Sequence, residues 1–175
     1  AHLAIRDYVR VHPLRVRRSS SSLDFPTDTA AAAAYLDNPS CVFFPVVGAA
    51  GPAMGLLVSR GLDRVLLDLV ARNSPVLGVC LGCQIMLEHS EENDRKTLGI
   101  FKGKTLRFDE SLRDENGEGI RIPHMGWNSA PRVRESRLFD GIPQEAEVYF
   151  VHGYYVVPEP EAVLARPTYG MTFFS

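Results

Sequence analysis

The ten residues PVLGVCLGCQ, which end at Gln84, constrain the fold of this chain more than any other segment. Their apolar first half is typical of a buried strand in a parallel sheet. Cys80 then stands between Gly78 and Gly82. The positions Ile85, Met86 and His89 follow at helical spacing. Flanking glycines let another part of the chain approach a cysteine held in a strained turn. The segment therefore predicts a strand, a tight turn with Cys80 at its apex, and a helix that reaches His89.

A cysteine exposed at such a turn is a candidate nucleophile. The N-terminus of the following helix favours the thiolate, and the backbone N–H of Leu81 is placed to hold an oxyanion. The alternative is that Cys80 is a small buried hydrophobe, as most free cysteines are, and Cys41 and Cys83 fit that second interpretation. The pattern predicts acyl transfer through a thioester at Cys80, without indicating a substrate.

Length, charge and cysteine content limit the possible classes of protein. The chain has 175 residues, of which 45% are hydrophobic, and this predicts one domain with a sizeable core. The net charge of −2 gives no reason to expect nucleic acid or an anionic membrane as a partner. Three cysteines without disulfide-like spacing predict a reducing compartment, and no apolar stretch is long enough to span a bilayer. We therefore expect a cytoplasmic protein.

Strand-like and helix-like segments alternate in the first half of the chain. Strands are predicted at 3–5 and 41–46, and helices are predicted up to Leu36, from Gly51, and at 62–70. This alternation predicts a parallel sheet that helices cover on both sides. Short β-like runs follow in the second half, at 104–108, 147–151, 154–157, 162–165 and 171–174. They predict antiparallel strands added to one side of the parallel core.

Four segments resemble class I glutamine amidotransferases, and more narrowly the glutaminase subunits of imidazole glycerol phosphate synthase. Pro45–Gly48 resembles the oxyanion strand of that family, and Gly78–Gln84 resembles its nucleophile turn. Pro123–Asn128 is similar to the segment that most separates this subfamily from other amidotransferases. Tyr149–Tyr154 is similar to the glutamine-pocket strand of the subfamily. The resemblance implies a single α/β domain over residues 1–175. It would be a three-layer, flavodoxin-like domain with a mainly parallel sheet and an antiparallel extension.

The resemblance also implies a reaction, which is the hydrolysis of glutamine. Cys80 would attack the side-chain amide, and the N–H groups of Val47 and Leu81 would form the oxyanion hole. The substrate-binding residues would be Gly48, Gln84, Gly153 and Tyr154. No cofactor and no metal are implied.

The partner implied by the resemblance is a TIM-barrel cyclase subunit, which would receive the ammonia. Trp127, Asn128 and Tyr149 match positions near that interface in the family. A plain core position for Trp127 is an equally good interpretation, because tryptophan is common in cores and in interfaces. His124 and His152 are better explained as structural histidines than as catalytic ones.

The sequence departs from the family at two places that bear on activity. The family has glycine where Val46 stands. Its general base and the glutamate that orients it belong to a His-Pro-Glu motif, and no such motif follows Tyr169–Ser175. We therefore expect the 175 residues to lack the C-terminal segment of the domain, and a longer parent protein to carry the motif. Without the general base, we expect the 175 residues alone to be inactive.

Two alternatives remain open. The chain could be an amidotransferase for another acceptor, of the anthranilate or surface-sugar type. It could also be a binding subunit that keeps the fold without catalysis.

Overall fold

The computed structural model describes residues 41–174, so the strand predicted at 3–5 and the helix predicted to end at Leu36 lie outside the described residues. The helices are α1 Ala50–Ser59, α2 Leu62–Ala71 and α3 Leu81–Gln84. Single 3₁₀ turns occur at Arg137–Phe139 and Pro160–Ala162. The strands are β1 Val42–Val46, β2 Val76–Cys80, β3 His89–Ser90, β4 Arg95–Lys96, β5 Gly103–Arg107, β6 His124–Ser129, β7 Glu147–His152 and β8 Tyr154–Pro158.

Two parallel strands carry the cysteine segment. β1 and β2 run side by side, from the pair Val42 and Val76 to the pair Val46 and Cys80. Helices α1 and α2 connect them, as expected for a parallel crossover. The apolar face predicted for the second helix is confirmed, because it buries Val65, Leu66 and Leu69. The carboxyl ends of β1 and β2 therefore meet at one edge of the sheet.

The second half of the chain adds antiparallel strands. One sheet has the order β4-β3-β5-β8, in which β5 and β8 are antiparallel and β3 and β5 are parallel. β6 and β7 form a separate antiparallel pair. The strands predicted at 104–108, 147–151 and 154–157 are confirmed within a residue or two. The prediction of an α/β fold that combines parallel and antiparallel strands is also confirmed.

The strands predicted at 162–165 and 171–174 are wrong. In these runs only isolated bridges form, between Ala165 and Arg132, between Thr172 and Thr168, and between Phe174 and Val156. Their apolar side chains pack in the core instead, since Val163 and Phe173 are almost fully buried. Phe173 joins Phe108 and Phe150 in an aromatic cluster, whose rings meet edge-on at centroid distances of 5.6 and 5.5 Å. Apolar content thus indicated burial in these runs, but not strand pairing.

The helix after Cys80 is shorter than the sequence predicts. Helix α3 ends at Gln84, and the helix predicted to reach His89 is wrong because His89 belongs to β3. The carbonyl groups of Ile85 and Met86 accept bonds from Leu98 and Ile100, at 2.9 and 2.8 Å. The Ile85 and Met86 side chains are nevertheless buried. The chain therefore leaves the helix because its backbone pairs with a distant segment. No helix within residues 41–174 has the length and apolar character needed to cross a membrane.

Candidate active site

Cys80 occupies a strained position between strand and helix. It is the last residue of β2 and the residue that caps α3, with φ of 58° and ψ of −127°. A positive φ costs a non-glycine residue about 1–3 kcal/mol, so the surrounding structure must hold it. Its side chain is half-buried and packs against the core formed by α1, α2 and α3. The predicted turn with Cys80 at its apex is therefore present.

Gly78 and Gly82 permit close contacts on either side of this cysteine. A Cβ on Gly82 would overlap the carbonyl oxygen of Phe44, on β1. A Cβ on Gly78 would lie 2.6 Å from the sulfur of Met86 and 2.8 Å from the Cα of Cys83. These two glycines let the start of α3 press against the parallel strands, as the sequence predicts.

The end of β1 lies beside the turn. Val46 pairs with Cys80, so Val47 and Leu81 each directly follow a paired position, at the edge of the sheet where β1 and β2 end. Val47 has 73% of its surface exposed, whereas Leu81 is buried. Gly48 follows with φ of 101°, a conformation that favours glycine although nothing lies within 4 Å of its missing Cβ. Val46 itself is part of β1 and packs against the core.

Gln84 is tied to the segment that the sequence assigns to substrate binding. Its side-chain amide nitrogen donates to the Tyr154 carbonyl at 3.1 Å, and its backbone carbonyl accepts from the Thr105 hydroxyl at 2.9 Å. Gly153, which separates β7 from β8, accepts from the backbone N–H of Phe108 at 3.1 Å. The fold therefore brings Gln84, Gly153 and Tyr154 together one helical turn from Cys80.

Two histidines lie behind that segment. His124 on β6 and His152 on β7 are buried and face each other, with Nδ1 of His124 3.0 Å from Nε2 of His152. Nδ1 of His152 lies 2.9 Å from the Tyr154 carbonyl. Burial lowers the pKa of both imidazoles, that of His152 to about 4. Both are held neutral by their surroundings, as the structural interpretation of these histidines predicts.

A His-x-Glu spacing does occur, at His89-Ser90-Glu91, but its side chains have other partners. Nε2 of His89 lies 2.9 Å from the Asp94 carboxylate, and the Glu91 carboxylate accepts from the Arg107 backbone at 2.8 Å. All three histidines of residues 41–174 are thus bonded to groups other than Cys80. The described residues also contain no cluster of histidine, cysteine or acidic side chains that could hold a metal ion.

The interpretation of Cys41 and Cys83 as buried hydrophobes is wrong. Both side chains are exposed, and all three cysteines of the chain are free thiols. Cys41 precedes β1, and Cys83 lies on α3 between the buried Gly82 and the half-buried Gln84. Cys41 therefore offers an internal comparison for the reactivity of Cys80. Cys83 does not, because burial of its thiol raises its pKa although the residue has exposed surface.

The β6–β7 pair has one buried and one exposed face. Side chains alternate along both strands, so His124, Phe150 and His152 point inward. Trp127 and Tyr149 are opposite each other on the other face, with ring centroids 5.4 Å apart. Trp127 is 41% exposed, which excludes the core interpretation for this residue. Asn128 donates from its amide to the Thr168 carbonyl at 2.8 Å.

Comparison with known proteins agrees with this geometry. The family model for class I glutamine amidotransferases matches residues 21–169. The chain belongs to the class I glutamine amidotransferases. The amidotransferase is 50% identical to the imidazole glycerol phosphate synthase subunit HisH of Desulfovibrio desulfuricans, over 99% of this chain and 80% of that one. It is 47% identical to the HisH subunit of Nitratidesulfovibrio vulgaris strain Miyazaki F, over 98% and 81% of the two chains. The HisH subunit of Maridesulfovibrio salexigens is 42% identical, over 99% and 82%.

Helix α1 of this amidotransferase, which follows Gly48, is supported by two residues that the sequence did not indicate. Ala49 gives α1 no capping side chain. The Glu92 carboxylate accepts from the Ala50 N–H at 2.8 Å, and the Asn93 side chain accepts from the Gly51 N–H at 3.0 Å. The missing capping residue at position 49 is the one sequence signal for such a contact, and it does not identify the partner.

Replacing Glu92 with alanine is expected to lower the free energy of unfolding by about 1 kcal/mol, the usual loss for a helix N-cap. Glu92→Gln keeps an acceptor oxygen and should lose less, because only the charge is removed. Urea denaturation measures both. Glu145→Ala, at an exposed position, is the control and should change stability by less than about 0.5 kcal/mol. An equal loss in Glu92→Ala and Glu145→Ala would contradict the capping role.

Proposed function

We propose that this amidotransferase hydrolyses glutamine to glutamate at Cys80 and supplies the ammonia to an imidazole glycerol phosphate synthase cyclase subunit. The observation that carries the proposal is the strained conformation of Cys80, between two glycines that admit no side chain. A fold keeps such strain where it serves a function. Membership of the amidotransferase family gives the reaction, and HisH relatives at 42–50% identity support the acceptor.

The reaction proceeds in two acyl-transfer steps. The Cys80 sulfur attacks the carbon of the side-chain amide, the thiol proton passes to the amide nitrogen, and the C–N bond breaks to release ammonia and leave a thioester. Water then attacks the thioester carbon, and the C–S bond breaks to release glutamate and the thiol. In both steps the N–H groups of Val47 and Leu81 hold the oxyanion, which is supported by their positions at the ends of β1 and β2.

The substrate lies between the Val47–Gly48 segment and the Gly153–Tyr154 segment. Gln84 supplies the side-chain amide that orients it. Its nitrogen is already bonded to the Tyr154 carbonyl, so its oxygen is the group offered to glutamine. No cofactor takes part.

Hydrolysis needs a base that the described histidines do not supply. His89, His124 and His152 each have a partner other than Cys80, and the last two have a lowered pKa because they are buried. The test of the active site therefore uses a reaction that depends on the Cys80 thiol and the pocket alone. The inactivity expected of the 175 residues by themselves stays a prediction, as does the single-domain assignment.

A chloroketone analogue of glutamine tests the proposal. The Cys80 sulfur displaces chloride from the analogue, so a C–S bond forms and the C–Cl bond breaks. A bound analogue should alkylate Cys80 about 100-fold faster than the exposed Cys41, because binding holds the reacting atoms together. Peptide mass mapping gives the modified residue, and the rate should saturate with analogue concentration.

Two variants and a competitor complete this experiment. Cys80→Ser should abolish the fast labelling, whereas Cys83→Ser should leave it unchanged, and glutamine should slow it. Equal rates at all three cysteines would contradict the proposal and favour the non-catalytic binding subunit of the same fold.

The partner is a TIM-barrel cyclase, and the exposed Trp127 with the half-buried Tyr149 opposite it forms the centre of the proposed interface. Such an aromatic pair beside Met125, which is 61% exposed, is typical of a contact surface. Asn128 is proposed to support this interface from behind, because it follows Trp127 on β6 and its side chain, on the opposite face, is bonded to the Thr168 carbonyl. Binding to the histidine-pathway cyclase at micromolar concentration, with a loss of at least about tenfold in Trp127→Ala, would support this. No binding would favour another acceptor.

Three free thiols support a cytoplasmic location.

A further inference from the structure

The buried histidine pair is connected to the glutamine site by a continuous chain of hydrogen bonds. The Tyr154 carbonyl accepts from two side chains, Nε2 of Gln84 at 3.1 Å and Nδ1 of His152 at 2.9 Å. Nε2 of His152 lies 3.0 Å from Nδ1 of His124. The chain therefore runs from β6 through β7 and the start of β8 to the helix that follows Cys80.

The positions of the protons in this chain follow from its chemistry. A carbonyl oxygen only accepts, so Nδ1 of His152 carries a proton. Burial keeps His152 neutral, which leaves its Nε2 without a proton. Nδ1 of His124 must then be the donor to His152. Each imidazole is thus fixed in one tautomer and one orientation.

The surroundings of His124 hold its ring in place. It is stacked between Phe150 and Tyr169, with centroid distances of 4.9 and 3.9 Å and interplanar angles of 20°. Only 2% of the surface of His124 is exposed. The Tyr169 hydroxyl is in turn bonded to the Arg121 carbonyl at 2.7 Å. A ring this confined can set the direction of the bond to His152.

We propose that His152, oriented by His124, is a positioning residue for glutamine binding. It holds the Tyr154 carbonyl where that carbonyl fixes the Gln84 side chain, and it keeps Gly153 and Tyr154 in the conformation that receives the substrate. This inference rests on the proposed function, because it assigns Gln84, Gly153 and Tyr154 to the glutamine site. His152 does not touch the reacting atoms.

Two isosteric variants separate this role from a merely structural one. His152→Asn places an amide nitrogen close to the position of Nδ1, so it keeps the donor to Tyr154 and loses the contact with His124. His152→Gln reaches the position of Nε2, so it keeps the contact with His124 and loses the donor to Tyr154. Each variant loses one of the two bonds, so their losses of stability should be similar.

Labelling by the chloroketone analogue of glutamine should distinguish them. We expect His152→Gln to weaken saturable binding of the analogue about tenfold, the effect of one lost buried hydrogen bond. His152→Asn should weaken binding less, by no more than about threefold, since the bond to Tyr154 remains although His124 no longer orients its donor. Alkylation of Cys80 by iodoacetamide, which does not resemble glutamine, should be the same in all three.

A measurement that needs no variant covers the case in which a substitution prevents folding. Long-range ¹H–¹⁵N correlation spectra of the unaltered chain report the tautomer of each histidine, and His152 should carry its proton on Nδ1. A proton on Nε2 of His152 would overturn the inference, as would equal analogue binding by His152→Gln and His152→Asn. Absence of saturable labelling in the unaltered chain would overturn the proposed function and this inference together.

Discussion

Replacing Gly82 with alanine is expected to lower the free energy of unfolding by about 3 kcal/mol or more, at or above the upper end for an overpacked core. The new Cβ would overlap the Phe44 carbonyl oxygen, which belongs to the backbone of a paired strand and cannot rotate away. Either β1, which pairs with β2 up to Cys80, or the start of α3 must move, and either shift displaces the turn at Cys80. Fast alkylation of Cys80 by the glutamine analogue should therefore be lost as well.

Gly55→Ala is the matched control for that substitution. Gly55 is exposed inside helix α1, and nothing lies within 4 Å of its missing Cβ. The same change should there raise stability by about 0.5–1 kcal/mol, because alanine is the better helix former. Urea denaturation of the two variants measures both effects. A Gly82→Ala variant as stable as the unaltered chain would show that α3 is not pressed against β1.

The parallel core was predictable because its signals are local. An apolar run that ends in Gly-x-Cys-x-Gly allows few conformations, and the spacing of Val65, Leu66 and Leu69 matches one face of a helix. Both features depend on neighbouring residues in the sequence. The strand, the turn and helix α2 were therefore predicted close to their observed bounds.

The length of α3 was not predictable in this way, because it depends on contacts distant in sequence. Ile85, Met86 and His89 stand at helical spacing. The carbonyl groups of the first two nevertheless accept from the backbone N–H groups of Leu98 and Ile100. In the same way, Phe173 lies in an apolar run that periodicity assigns to a strand, but aromatic packing determines its place. Local pattern predicts which side chains are buried more reliably than which backbone groups pair.

The candidate site was predicted in part. Cys80, Gln84, Gly153 and Tyr154 come from motifs, and the fold brings the last three together. The support from Glu92 and the hydrogen-bond chain through His152 depend on tertiary contacts, with sequence separations of 42 between Glu92 and Ala50 and 28 between the two histidines. A histidine in a strand is compatible with many roles. Its partners on two other elements had to be seen before one role could be argued.

Acidification from pH 7 to 5 is expected to destabilise the fold through His152 by about 2 kcal/mol, from a linkage of 1.4 kcal/mol per pH unit. Burial is the main cause that lowers the pKa of His152 to about 4 in the folded chain, and its bond to the Tyr154 carbonyl opposes this in part. In the unfolded chain the pKa is about 6.5. Between these two values the unfolded state binds the additional proton, so stability falls as the pH is lowered. Below pH 4 both states are protonated and this group adds no further loss.

His152→Asn gives the comparison that isolates this proton from the carboxylates, which also titrate in acid. The variant keeps the donor to Tyr154 but has no titrating ring, so its free energy of unfolding should fall less steeply between pH 7 and 5. His124 still contributes in the variant, since burial lowers its pKa in the same direction. The difference between the two slopes should therefore approach one proton, measured by urea denaturation at pH 7, 6 and 5. Identical slopes would mean that His152 takes up its proton in the folded chain as readily as in the unfolded one, which would require its hydrogen bond to His124 to reverse direction or break without unfolding.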